Sequence, residues 1–116
     1  MYNYAELNAD KLEFYTICPV EELPNGERLF VGIGNYQLVV FNIAGGFFAI
    51  ADLCSHDSGP LGDGELDDHQ IICPRHGARF DLHNGSVLSL PATEDIPAFP
   101  VIVEDGQIKV GVPADN

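Results

Sequence analysis

Two short sets of potential metal ligands, Cys54-Ser55-His56 and Cys73-Pro74-Arg75-His76, stand sixteen residues apart and constrain this chain more than anything else in it. Each set holds one thiol and one imidazole within three or four residues, so a single bend of backbone can present both to one centre. Together they supply two sulfur and two nitrogen donors. Two kinds of centre take that set. One is a tetrahedral zinc ion. The other is a [2Fe–2S] cluster with two cysteines on one iron and two histidines on the other. Ligand order separates them: zinc sites of this composition usually group like with like, Cys-x2–4-Cys before His-x3–5-His. Here each pair is mixed, which suits a binuclear centre that takes one thiolate and one imidazole from each loop.

The flanking sequence reads as β structure. Leu12, Phe14 and Thr16 alternate with Glu13 and Tyr15, the period of a half-buried strand. Glu21-Glu22-Leu23 allows one helical turn, and Pro24-Asn25-Gly26 marks a reversal. Residues 28–32 form a short strand candidate. Residues 37–43 and 47–51, on either side of Ala44-Gly45-Gly46, predict a hairpin that delivers Cys54 at its end. Residues 57–64 are a turn-rich loop, and Gln70-Ile71-Ile72 leads straight into Cys73. His83-Asn84-Gly85, between Arg79-Phe80-Asp81 and Ser86-Val87-Leu88, and Asp105-Gly106, between two stretches of alternating apolar residues, predict two further hairpins. Residues 90–97 read as a proline-containing loop. The first ten residues show no period and are expected to form a loose arm, with Tyr2 and Tyr4 packing on the body. Many short strands and no helix beyond a turn make this an all-β chain.

Around the ligands, CSHDSGPL and CPRHGARFDLHNG, the chain resembles the Rieske family, and the likeness extends over about residues 20–112. The resemblance implies an antiparallel β-sandwich built from about residues 11–51 and 93–112, with a cluster-binding lobe inserted at about 52–92. The whole, 1–116, is then a single domain. It implies one [2Fe–2S] cluster of the Rieske type held by Cys54, His56, Cys73 and His76, the cysteines as thiolates and the histidines as neutral imidazoles at the exposed tip. A neutral ligand in place of a thiolate leaves less negative charge on the cluster, so the potential lies above that of an all-cysteine plant-type centre.

Respiratory and photosynthetic members add a loop disulfide and two hydroxyl donors near the sulfurs. Here Asp57-Ser58-Gly59 and Arg75 offer no cysteine, and Ala78 and Phe80 fill the hydroxyl positions. The resemblance is therefore to the ferredoxin-type branch that serves ring-hydroxylating dioxygenases, with a potential of roughly −150 mV. It also implies that Gly59-Pro60-Leu61 and Pro91-Ala92 cover the site, and that Gly77 lets its amide approach a sulfur.

Charge and composition narrow the function. Five basic and eighteen acidic residues give a formal charge of −13, a surface that repels nucleic acid and anionic lipid and favours a partner with a basic patch. Arg75 and Arg79 are two of the five basic residues, and both stand beside the motif, placed to steer a partner or to pair with local acid. No apolar run approaches a membrane span, and the start of the chain does not read as a signal peptide. Cys18 is expected to be a small buried hydrophobe in a strand. His69 and His83, in polar turns, are expected to be solvated side chains rather than ligands. No nucleophile–base pair, second metal set or nucleotide-binding glycine pattern is present. The chain reads as a cytoplasmic, monomeric one-electron carrier, not catalytic alone, between an NAD(P)H-dependent flavin reductase and a terminal non-haem iron oxygenase. Two other readings stand beside it. One is a small nitrite reductase subunit, which shares the fold but usually lacks the ligands. The other is a zinc-binding or redox-sensing interaction module.

Overall fold

The computed structural model describes residues 9–114; Tyr2 and Tyr4 lie outside them. Ten strands follow in order: β1 (Leu12–Pro19), β2 (Arg28–Ile33), β3 (Tyr36–Ile43), β4 (Gly46–Ala51), β5 (Glu65–Asp67), β6 (Gln70–Ile72), β7 (Arg79–Asp81), β8 (Ala98–Phe99), β9 (Val101–Glu104) and β10 (Gln107–Pro113). Short 3-10 turns occupy Ala9–Lys11 and Val20–Glu22. The strands make three antiparallel sheets, ordered β1-β10-β9, β2-β3-β4-β8 and β5-β6-β7. Among the described residues no helix is long and apolar enough to cross a membrane.

The middle sheet is buried on both faces, which explains the unbroken apolar run of β3. Leu38 and Val40 point into one core with Ala49, Phe99, Ile108 and Val110, where the first two sheets pack together. Val39 and Phe41 point the other way, into a second core with Ile50, Leu61, Ile71, Phe80 and both motif cysteines. Successive strand residues face opposite sides, so a strand between two cores must be apolar at every position. The region that carries the Cys/His motif, and with it the candidate ligands, thus stacks on the outer face of the middle sheet.

Two hairpins follow the sequence closely and one does not. Asp105 and Gly106, both with positive φ, join β9 to β10 with Glu104 opposite Gln107. The β3–β4 turn is Ala44-Gly45, with φ of 54° and 90°, because Gly46 already pairs with Ile43. A two-residue turn with both φ positive matches the twist of the strands it joins. Beyond His83-Asn84-Gly85 the return arm makes only a single bridge, Phe80 to Val87, since the Arg79 and Ser86 amides that would complete the neighbouring pairs go to Ser89 Oγ at 3.0 Å and Asn84 Oδ1 at 2.9 Å.

Three features depart from the simple reading. A bulge between Thr16 and Cys18 shifts the phase of β1, leaving Thr16 exposed and Cys18 buried in the basal core. Residues 98–104 are two strands in different sheets, because Pro100 lacks an amide to continue the ladder. The chain between Cys54 and Cys73 contains β5 as well as turns, and β5 pairs with β6.

Gly64 enters β5 beneath this pairing. A β-carbon there would fall 2.0 Å from the Ile72 carbonyl oxygen, at the last residue before Cys73. Gly64→Ala is therefore expected to cost about 2–4 kcal/mol. By thermal denaturation that is a fall of roughly 4 °C or more per kcal/mol. An unchanged melting temperature would show that β5 and β6 part freely.

Candidate metal centre

The two loops that carry the motif, the candidate ligand loops, close by the same hydrogen-bond scheme. In the first, Cys54 donates its amide to the Gly59 carbonyl at 2.8 Å and accepts the Ser58 amide at 2.7 Å. In the second, Cys73 donates to Ala78 at 2.7 Å and accepts from Gly77 at 3.0 Å. The fifth residue of each turn has positive φ, Ser58 at 62° and Gly77 at 79°. Gly77 therefore supplies a left-handed bend, and its amide goes to the Cys73 carbonyl, not to a sulfur. The amides that reach sulfur lie inside the turn: those of His56 and Asp57 on Cys54, and those of Arg75 and His76 on Cys73.

The thiols lie at the bottom of the site and the imidazoles at the top. Cys54 is 0% and Cys73 2% exposed, and both are free thiols. His56 and His76 are exposed, with ring centroids 4.9 Å apart and planes crossing at 80°. Burial pushes the Cys54 thiol up, and Cys73 beside it adds to the rise. Burial acts on Cys73 as well, but there the Arg75 and His76 amides and the Cys54 thiol outweigh it and hold Cys73 below the usual thiol range. Amide donors aimed at a buried sulfur favour its thiolate form, the form that binds iron.

Among the described residues, the ligand atoms gathered within 4.8 Å of one another as a group of three are those of His56, Asp57 and His76; neither thiol joins them. A single zinc, with bonds of 2.0–2.3 Å, would need all four of its donors about 3.3–3.8 Å apart. A sulfur tier below and an imidazole tier above instead fit a centre with two metal atoms. Asp57 is not free to act as a ligand. Its carboxylate is gripped by Arg75, with Nε at 2.6 Å from Oδ2 and Nη2 at 2.8 Å from Oδ1. Those bonds, with the Gly59 amide, hold Asp57 well below the usual carboxylate range and push Arg75 above its own.

Loops around the site are tied down from several directions. Leu61 and Ala92 are buried in the same core as the two cysteines. Asp52 Oδ1 accepts the amides of Leu61 and Gly62 at 2.9 and 2.7 Å. Arg28, on β2, donates Nη1 to the carbonyls of Gly62 and Gly64 at 2.6 and 2.8 Å and lies over the Phe41 ring, 5.0 Å from its centroid. Ser55 Oγ donates to the Glu94 carbonyl, linking the first ligand loop to residues 90–97. Arg79 pairs with Asp67 at 2.9 Å, so of the two arginines only Arg75 bridges the ligand loops. His69 and His83 come together away from the motif. Their rings stack at 4.7 Å, Phe48 meets both edge-on, and Asp68 and Asp81 hold their Nδ1 atoms. Sequence spacing gave no hint of Arg28, Asp52 or Asp57, whose partners lie between 9 and 36 residues away.

Comparison with known proteins agrees with this geometry. The profile described as "Rieske [2Fe-2S] domain" matches residues 13–100. The chain is 41% identical over 97 residues to the 3-phenylpropionate/cinnamic acid dioxygenase ferredoxin subunit of Escherichia coli (strain K12), covering 83% of this chain and 91% of that protein. The Sphingomonas yanoikuyae B1 ferredoxin superposes with a TM-score of 0.78 at 32% identity, over 87% of this chain and all of that one. A chain from the complex of reduced oxygenase and oxidized ferredoxin in carbazole 1,9a-dioxygenase superposes with a TM-score of 0.80 at 29% identity, over 89% and 96% of the two chains. A profile match across most of its length and a close ferredoxin relative place the chain in the Rieske [2Fe-2S] family, in its ferredoxin branch, with one Rieske-type cluster as its cofactor.

Proposed function

We propose that Cys54 and Cys73 hold one iron of the cluster and His56 and His76 the other. The chain then carries single electrons from an NAD(P)H-dependent flavin reductase to the terminal oxygenase of a ring-hydroxylating dioxygenase. The observation that carries this reading is the two-tier donor set, with thiols sealed in the lobe core and imidazoles open to solvent. When bound, the cluster supplies reversible one-electron chemistry. The protein contributes the rest. Four amides stabilise negative charge on the two sulfurs, Leu61 and Ala92 keep water from them, and the exposed imidazoles form the shortest path to a docked partner. The named relatives support the oxygenase as electron acceptor, because one serves a dioxygenase and another comes from a complex with an oxygenase. Free cysteines throughout the described residues support a cytoplasmic setting. The carrier acts as a monomer.

The direct test mixes the reduced, purified protein with the oxidised oxygenase encoded near it and follows visible absorption in a stopped-flow instrument. Rapid re-oxidation of the ferredoxin, and its re-reduction by NADH only when the reductase is present, would support the carrier role. No transfer to any such oxygenase would overturn it. With a net charge of −13, docking should weaken with salt. The second-order rate constant is expected to fall about tenfold between low and high ionic strength. A rate insensitive to salt would mean that the acidic surface plays no part in docking.

A further inference from the structure

The two ligand loops are joined by no covalent link, and one side chain spans the gap between them. All three guanidinium nitrogens of Arg75 are used on the opposite loop. Nε and Nη2 take the two oxygens of Asp57 at 2.6 and 2.8 Å, and Nη1 donates to the Pro60 carbonyl at 2.6 Å. The same loop is shaped to receive it. Asp57 Oδ1 also accepts the Gly59 amide at 3.0 Å, which fixes the carboxylate, and a β-carbon on Gly59 would fall 2.7 Å from Arg75 Cζ. A side chain at residue 59 would push the guanidinium from this seat. Each partner is the chain neighbour of a histidine, Asp57 of His56 and Arg75 of His76, and Asp57 Oδ2 lies 3.8 Å from His76 Nε2. The pair is partly shielded, with side chains 32% and 25% exposed.

We infer that Arg75 and Asp57 form an ionic clasp with two effects: it holds the two ligand loops at their working separation, and it keeps the charge beside the imidazoles balanced. Both are positioning residues for the cluster and ligands to nothing themselves. The two effects separate by mutation. With Arg75 removed, an unbalanced carboxylate lies beside His76, which favours the oxidised, more positive centre and lowers the reduction potential. With Asp57 removed, an unbalanced guanidinium remains and the potential rises. Either loss frees the loops, so iron should leave more quickly in both cases. A general loosening of the site would not shift the potential in opposite directions.

The inference rests on Cys54, His56, Cys73 and His76 being the ligands, and the experiment keeps the two claims apart. Voltammetry and the rate of iron release to a chelator are measured on the holoprotein of the parent, Arg75→Gln, Arg75→Lys, Asp57→Asn and the double variant, with Cys54→Ser alongside. Expected are a lowered potential for Arg75→Gln and a raised one for Asp57→Asn. Each shift should reach about tenfold in the electron-transfer equilibrium, or about 59 mV for one electron. The double variant should return towards the parent potential while losing iron about tenfold faster. Arg75→Lys should keep the potential, since the charge remains, but lose iron faster, since a point charge cannot grip both carboxylate oxygens and Pro60. Should Arg75→Gln fail to accumulate as folded protein, Arg75→Lys and Asp57→Asn still separate the two effects: both should lose iron faster, and only Asp57→Asn should raise the potential. Parental potential and iron retention in these variants, with Cys54→Ser empty, would overturn the clasp alone. A Cys54→Ser protein with a parental EPR signal would overturn the ligand assignment instead.

Discussion

Cys73→Ser is expected to yield a folded but colourless protein, with less than about a tenth of the parent's iron. Cys73 is 2% exposed, with the amides of Arg75 and His76 turned on its sulfur, so the site is built to stabilise an anion that water does not reach. A serine hydroxyl fits the space but stays protonated near neutral pH, so the amides face a neutral oxygen and the metal loses a thiolate. The basal core is separate from this site. Its residues, among them Leu38, Val40, Ile108 and Val110, share no member with the core that contains Cys73. The sandwich should therefore keep its circular dichroism when the iron is gone. Cys18→Ser is the matched control. Cys18 is buried in the basal core, where a buried hydroxyl costs about 1–3 kcal/mol but touches no ligand. Iron and sulfide assays with EPR of the reduced samples decide the matter. A Cys73→Ser protein with the parent's iron and rhombic signal would remove Cys73 from the ligand set, and a colourless Cys18→Ser protein would show that the assay reads folding.

How far the sequence could be read depended on how local the cause was. The ligand loops were legible because each is closed by bonds within six residues of chain, such as Cys54 to Gly59 and Cys73 to Ala78, so spacing encodes geometry directly. Asp105-Gly106 was legible for the same reason. The β3–β4 turn is one residue shorter than the Ala44-Gly45-Gly46 break in the apolar run, because Gly46 already pairs with Ile43. The bulge in β1 was hidden because Ile17 extends the apolar run and masks the change of phase at Cys18. Pro100 was the visible mark of a sheet change, but a proline near a strand end also marks an ordinary edge. The clasp was hidden for another reason. Asp57 and Arg75 are eighteen residues apart, and nothing in a charged residue's sequence position tells which opposite charge it meets. The same holds for His69 and His83, which meet because Phe48 and two separate turns bring them together.

Phe80→Ala should be the most damaging single core change in the ligand-bearing region. Phe80 is fully buried on β7, opposite Ile71 of β6 and bridged to Val87, and it shares a core with Leu61, Ile96, Cys54 and Cys73. Removing a buried phenyl ring costs about 3–5 kcal/mol through lost transfer energy and the cavity left behind. A domain of this size holds only about 5–15 kcal/mol in total. Because the two cores lie on opposite faces of the middle sheet, the loss should not be spread evenly. Amides of β6 and β7 should lose exchange protection first, while those of β1 and β10, packed in the other core, should retain most of theirs. Iron release should quicken for the same reason, since both thiols depend on the core that has been opened. Phe80→Leu fills much of the space and should cost less than half as much, about 1.5 kcal/mol. Val103→Ala, on the exposed side of edge strand β9 with half its surface in solvent, should stay within about 0.5 kcal/mol of the parent. Urea denaturation read by circular dichroism gives the totals and hydrogen exchange gives their distribution. A Phe80→Ala protein that loses protection equally in β1, β10 and β6 would mean that the two cores unfold as one unit, and that the ligand-bearing region has no stability of its own to lose.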